Sequence, residues 1–169
     1  MNADELRTLQ APLKARYREE PAAAKVILSA EGVLGEASVT CKVSTGRALV
    51  EAGLHPATGG SGAAACSGDM LLEALVACAG VTLRAVATAL AIPIRSGKVL
   101  AEGDLDFRGT LGVDKETPVG FTEVRLRFQL ETDAAPDLIA TLLKLTERYC
   151  VIYQTLKKPP RLTLSHEVK

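Results

Sequence analysis

With 169 residues, 20 basic and 20 acidic side chains and 47% hydrophobic residues, the chain is long enough for one domain with a real core and too short to require two. The balanced charge excludes the basic footprint of a nucleic-acid binder. The longest apolar-rich stretch, 70–94, is dominated by alanine and contains Glu73 and Arg84, so it reads as a buried helix rather than a membrane span.

The chain opens with "MNADELRTLQAPLKARYREE", which is charged and amphipathic where a secretory signal carries a basic end and an apolar block; a cytoplasmic location is the expectation. Leu6, Leu9, Leu13 and Tyr17 recur at helical steps, predicting an N-terminal helical arm over 1–22, bent at Pro12 and followed by the main domain over 23–169. Next, "AKVILSAEG", "EASVTCKVS" and "GRALVEAG" predict a three-stranded antiparallel meander. Residues 53–68, "GLHPATGGSGAAACSG", form a loop of small residues. From Asp69 to Ala91 the chain is apolar nearly all round a helix, so most of its faces should be buried.

Pro93 ends that helix. "RSGKVLAEGDLDFRGTLGV" and "FTEVRLRFQLET" then predict two long strands joined through "DKETPVG". Pro136 opens a second helical region, "DLIATLLKLTERYCVIYQTLKK", which stops before Pro159 and Pro160. "RLTLSHEV" reads as a closing strand. The order βββ, α, ββ, α, β predicts an α+β fold with a helix layer against an antiparallel sheet. A helix apolar on all sides needs more cover than one such sheet supplies, which favours an intimate homodimer.

Four cysteines, Cys41, Cys66, Cys78 and Cys150, with His55 and His166, show neither C-x-x-C nor H-x-x-x-H spacing, so no metal site is expected. In a reducing compartment, a disulfide among them would be transient and catalytic. Taken alone, Cys78 in its apolar helix is core-like. Cys150 alters that reading, because it sits between helical stretches where a backbone irregularity could turn its sulfur toward Cys78. Peroxide reduction needs such a pair: one thiolate to attack the O–O bond and a second thiol to close a disulfide on the sulfenic acid.

Cys78 lies too far along its helix for the dipole alone to lower its pKa, so a cation is expected beside it. Arg84 and Arg148 project elsewhere, which leaves Arg47, on the third strand. Asp69 at the helix start could hold such an arginine or simply cap the helix, with Glu73 in reserve. Cys41 reads as an ordinary strand residue and Cys66 as a loop cysteine without an activator. His55 is a lone turn histidine.

"GDMLLEALVACAGVTL" and "LTERYCVIYQTL", together with the order of elements, resemble the OsmC/Ohr family of osmotically induced and organic hydroperoxide resistance proteins over about residues 24–168. The resemblance implies an intertwined dimer around two central helices that reduces organic hydroperoxides without a bound cofactor. It implies Cys78 as the peroxidatic and Cys150 as the resolving cysteine, with Arg47 and Asp69 as the arginine–carboxylate pair beside the thiolate. It implies recycling by a dithiol, often a lipoyl group. Val151 stands where many relatives have proline. The rival expectation is a non-catalytic protein of the same fold that binds a small ligand or senses redox state.

Overall fold

The computed structural model describes residues 2–5, 8, 10–11, 19, 31–34, 40–44, 49–112 and 114–168, with only the backbone at 31–34 and 40–44. At the N-terminus the Asn2 side chain accepts a hydrogen bond from the Glu5 N–H, and the Glu5 carboxylate accepts one from the Asn2 N–H, each at 2.9 Å. These reciprocal bonds open a helical segment. Most of the expected arm, including Pro12, lies outside the described residues, as do 24–30 of the expected first strand and Arg47.

The meander is present, as β1 (Glu31–Leu34), β2 (Thr40–Ser44) and β3 (Leu49–Gly53), with both pairings antiparallel. Cys41 on β2 stands opposite Ala52. The loop that follows holds one 3₁₀ turn, Pro56–Thr58. It returns as a two-residue strand, β4 (Ala65–Cys66), parallel to the end of β3. That pairing anchors the start of helix α1 (Ser67–Ala89). A second antiparallel sheet is made by β5 (Ser96–Asp104) and β6 (Glu123–Glu131), in register from Ser96 opposite Glu131 to Asp104 opposite Glu123.

Between these strands lies a correction to the expected long strand over 95–113: β5 stops at Asp104. The Asp106 carboxylate accepts a hydrogen bond from the Arg108 N–H at 3.0 Å and caps a single helical turn, α2 (Phe107–Thr110). An aspartate that can cap competes with the strand ladder for the backbone.

Helix α3 (Pro136–Tyr149) follows, with proline in its first turn, and α4 (Val151–Lys157) continues beyond a break at Cys150. Residues 159–168 form no strand, contrary to the expectation for "RLTLSHEV". Their alternation is that of a half-buried strand, but within one chain no edge receives them: Leu162, Leu164 and Val168 are 87%, 101% and 86% exposed.

The core is a layer between α1 and the β5–β6 sheet, extended by α3 and α4. Leu75, Ala79, Leu83 and Ala87, at four-residue steps, form the buried stripe of α1. Leu83 and Ala87 pack with Leu142 of α3 and with Ile92, flanked by Phe128 and Leu130. Leu75 and Ala79 pack with Cys150, flanked by Val99, Ala101, Val124 and Leu126. By length and apolarity α1 could cross a membrane, yet it carries one buried stripe, not burial on most faces. Its other sides, including Val81 at 73% exposure, remain open in the single chain.

The helix ends before Pro93 can break it. Ala91 takes φ +54°, its N–H donates to the Thr88 carbonyl at 3.2 Å, and the Ile92 N–H donates to the Ala87 carbonyl at 2.9 Å. This is the geometry that glycine usually serves, because a Cβ at positive φ is strained. Replacing Ala91 with Gly relieves the strain and adds freedom only to the unfolded chain. The expected net gain is about 0.5–1 kcal/mol, read as a higher urea midpoint.

Candidate functional site

Everything at the site turns on residue 150. Cys150 has extended backbone angles, φ −73° and ψ 110°, and is at once the last cap of α3 and the first of α4. Its N–H donates to the Thr146 carbonyl and its carbonyl accepts from the Gln154 N–H, both at 2.9 Å. In an unbroken helix the N–H groups of Val151 and Ile152 would donate to the carbonyls of Glu147 and Arg148. The break releases them. The Glu147 carbonyl is satisfied instead by the Gln154 side-chain amide at 2.7 Å, and the freed N–H groups of Ile152 and Val151 help to lower the Cys78 thiol.

Cys78 is half-buried on α1 beside the cluster of Leu75, Ala79 and Cys150. Burial pushes its thiol up. Hydrogen bonds from the Ile152 N–H, the Cys150 thiol, the Val151 N–H and the Thr82 hydroxyl outweigh that effect and hold it below the ordinary cysteine value. Cys150, only 1% exposed, moves the opposite way: burial raises it most, donation to Cys78 and the charge there add to the rise, and the N–H groups of Tyr153 and Ile152 offset part of it. Two adjacent thiols are thereby split into one inclined to ionise and one inclined to keep its proton.

Among the described residues, the groups that lower the Cys78 thiol are backbone donors, the Cys150 thiol and a hydroxyl; Arg47, the expected cation, lies outside the described residues. Arg84 donates to the Ile94 carbonyl at 3.2 Å, and the Arg148 guanidinium lies 5.5 Å over the Tyr149 ring, so neither serves Cys78. Asp69 is not the helix cap. Cys66 holds that position without a side-chain bond, and Asp69 sits exposed in the first turn, where a negative charge suits the dipole. Nine residues separate Asp69 from Cys78, about 13 Å along α1 and about 180° around it. The exposed Glu73 is also turned well away from Cys78. The chain therefore does not bring either carboxylate to its own Cys78.

Asp69 instead gathers with His55 and Cys66 around a separate cleft of about 370 Å³ at the start of α1. There the His55 ring stacks on Phe107 at 4.9 Å, and its Nδ1 accepts a hydrogen bond from the Ala57 N–H at 3.1 Å. Among the described residues no His/Cys/Asp/Glu group has the arrangement of a metal site.

One apolar hollow adjoins Cys150, and a second shares part of its wall. One of about 220 Å³ has Cys150 in its wall with Ala79, Leu126, Phe128 and Leu143. A larger one, about 560 Å³, is lined by Leu71, Leu75, Phe121, Val124 and Leu156 and shares Leu126 and Tyr153 with the first. Cys78 is in neither wall. Reasoning from the sequence missed Thr82, the lone polar residue on the Leu71–Leu75–Cys78 stripe, and it missed the backbone donors, which leave no mark in side-chain identity.

The opposed shifts have a direct consequence. At neutral pH iodoacetamide should modify Cys78 at least about ten times faster than Cys150, as read by peptide mass spectrometry; equal rates would contradict the assignment of the thiolate.

Residues 59–165 match the family described as OsmC-like protein. No curated protein matches the chain. Among solved structures, an OsmC-like protein from Mycoplasma pneumoniae superposes with TM-score 0.66 at 18% identity, covering 80% of this chain and 90% of that one. An organic hydroperoxide resistance protein from Elizabethkingia anophelis gives TM-score 0.62 at 16% identity, covering 80% and 92%. An organic hydroperoxide resistance protein OsmC from Legionella pneumophila gives 0.61 at 17%, covering 79% and 93%. At these identities the superpositions establish the shared α+β fold, and with the match over residues 59–165 they place the chain in the OsmC-like family.

Proposed function

We propose that the chain is a thiol-dependent peroxidase for organic hydroperoxides. The observation that carries the reading is the pairing of Cys78, its thiol lowered, with Cys150, its thiol raised, across one helix contact beside apolar hollows. The Cys78 thiolate attacks one peroxide oxygen. The O–O bond breaks, the alkoxide takes a proton and leaves as alcohol, and Cys78 becomes a sulfenic acid. Cys150 then displaces hydroxide from that sulfur; its thiol proton and the hydroxide leave as water, and a disulfide remains. An external dithiol reduces the disulfide by two exchanges and is itself oxidised to a cyclic disulfide.

The division of labour follows from the two environments. A nucleophile must be ionised before peroxide arrives, whereas a resolving thiol is needed only after sulfenic acid forms. The N–H groups of Val151 and Ile152 stabilise negative charge on sulfur without requiring a side chain to reorganise. Arg47, in the role its family resemblance implies, adds a cation for the departing alkoxide. The leucine-rich hollows favour an alkyl chain over hydrogen peroxide, because burying the tail is rewarded by area.

In this reading the working unit is a homodimer. A second copy would cover the open sides of α1 and the apolar residues of 159–168, and it would complete the surroundings of Cys78, which the walls of the chain's own hollows leave out. A solution mass of twice 17.8 kDa at micromolar concentration is expected, and a monomer would overturn this part.

With cumene hydroperoxide and dihydrolipoamide, the wild-type protein should turn over and Cys78→Ser should fall to the buffer background. Cys150→Ser should complete one oxidation and accumulate a sulfenic acid that dimedone traps. Unchanged peroxide consumption by Cys78→Ser would remove the enzyme reading.

A further inference from the structure

From Glu147 to Gln154 the sequence "ERYCVIYQ" contains neither glycine nor proline, yet the helix breaks at Cys150, which stands extended at φ −73° and ψ 110°. A break without either residue needs another cause, and a general one is a side chain inserted into the ladder of helix bonds. Gln154 makes that insertion. Its backbone N–H donates to the Cys150 carbonyl at 2.9 Å, and its side-chain amide reaches seven residues back to donate to the Glu147 carbonyl at 2.7 Å. That carbonyl is the one the Val151 N–H would take in a continuous helix. Helical threonines act differently: Thr88, Thr141 and Thr146 each donate to the carbonyl four residues back, within helices that stay unbroken there.

We propose that Gln154 is a positioning residue for Cys150: its side-chain amide takes the place of the Val151 N–H at the Glu147 carbonyl and so keeps the helix from closing through residue 150. One residue thereby grips both sides of the break, by its backbone at Cys150 and by its side chain at Glu147. A carbonyl only accepts, so the amide presents its NH₂ end. The same two turns are also tied by an ion pair between Lys157 and the Glu147 carboxylate, but both side chains are about half exposed, and such pairs contribute little. That tie does not involve the carbonyl.

The latch secures the direction of α4. Ile152 and Tyr153 pack on the cluster of Leu75, Ala79 and Cys150, and Cys78 packs there too. A helix closed through residue 150 would carry α4 on along the axis of α3 and turn the Cβ of Cys150 with it. Disulfide closure tolerates a narrow range of Cα and Cβ separations, so the resolving step depends on the break. The catalytic consequence rests on the peroxidase reading; the latch itself concerns only the backbone and is testable without it.

The test uses two measurements on the full chain. The Cα chemical shift of Cys150 reports its backbone. Stoichiometric cumene hydroperoxide with dimedone present reports how the Cys78 sulfenic acid divides between dimedone adduct and Cys78–Cys150 disulfide, a ratio independent of how fast the acid forms. Gln154→Met, similar in length but without a donor, should move the shift toward helical values and raise the adduct-to-disulfide ratio about tenfold. Adding Val151→Pro to Gln154→Met should return both to wild type, because proline has no N–H for the Glu147 carbonyl and keeps the residue before it extended. Lys157→Ala should match wild type in both. An unmoved shift in Gln154→Met overturns the proposal, as does a ratio that stays constant when the shift moves. A shift that Val151→Pro fails to reverse traces the effect to packing, and an equal shift in Lys157→Ala traces it to the ion pair; either overturns the proposal too. Should Gln154→Met fail to fold by circular dichroism, Gln154→Ala, alone and with Val151→Pro, decides in the same way. A moved and rescued shift in a protein that peroxide does not oxidise would remove the enzyme reading and leave the latch; turnover with an unmoved shift would do the reverse.

Discussion

A single extended residue, Cys150, is the constraint on which the site depends. Had α3 run on unbroken, the amides of Val151 and Ile152 would be consumed within the helix and the Cys78 sulfur would face hydrocarbon. Desolvation would then raise both thiols together. The break frees the donors of two routine helix bonds to act on the sulfur, and the Gln154 side chain satisfies one of the two carbonyls left behind, that of Glu147. A replacement partner matters where burial is deep, because an unpaired group there would cost as much as the bond it lost.

The same break sets the packing. Leu142 and Thr146 on α3 and Cys150 at its end continue one buried line, and Ile152 and Tyr153 resume contact with α1 from the new direction of α4. The β5–β6 sheet supplies the floor beneath both helices, so the two sulfurs meet where three elements converge. What the sheet does not supply is cover for the far side of α1. Alanines on that side make a smooth surface, suited to close approach by another helix and poorly suited to permanent contact with water.

Much of this was legible in the sequence because periodicity is a local signal. The central helix begins at Ser67 against an expected Asp69 and ends at Ala89 against Ala91. Clean alternation of Val124, Leu126, Phe128 and Leu130 marks β6. Cys150 could be placed at an irregularity because it falls within a helical run and beside a β-branched pair, though neither glycine nor proline marks the break. Three things were not legible. The end of β5 depends on the Asp106 carboxylate preferring the backbone of Arg108 to solvent. The fate of 159–168 depends on whether an edge exists to receive it, which alternation cannot tell. The donors to Cys78 are main-chain amides, and a search for arginine or lysine could not find them.

Main-chain donors carry no letter of their own in a sequence, but they restrict which letters are permitted. Nineteen of the twenty amino acids would supply an N–H at position 151; proline would not. Its ring is otherwise well suited there, since residue 151 is the first of α4 and proline favours that place. A proline there, as the family resemblance implies for other members, would withhold that N–H from the sulfur. Val151 is thus a side chain whose importance lies in what it is not, and substitutions at this position would divide by backbone chemistry rather than by size or polarity.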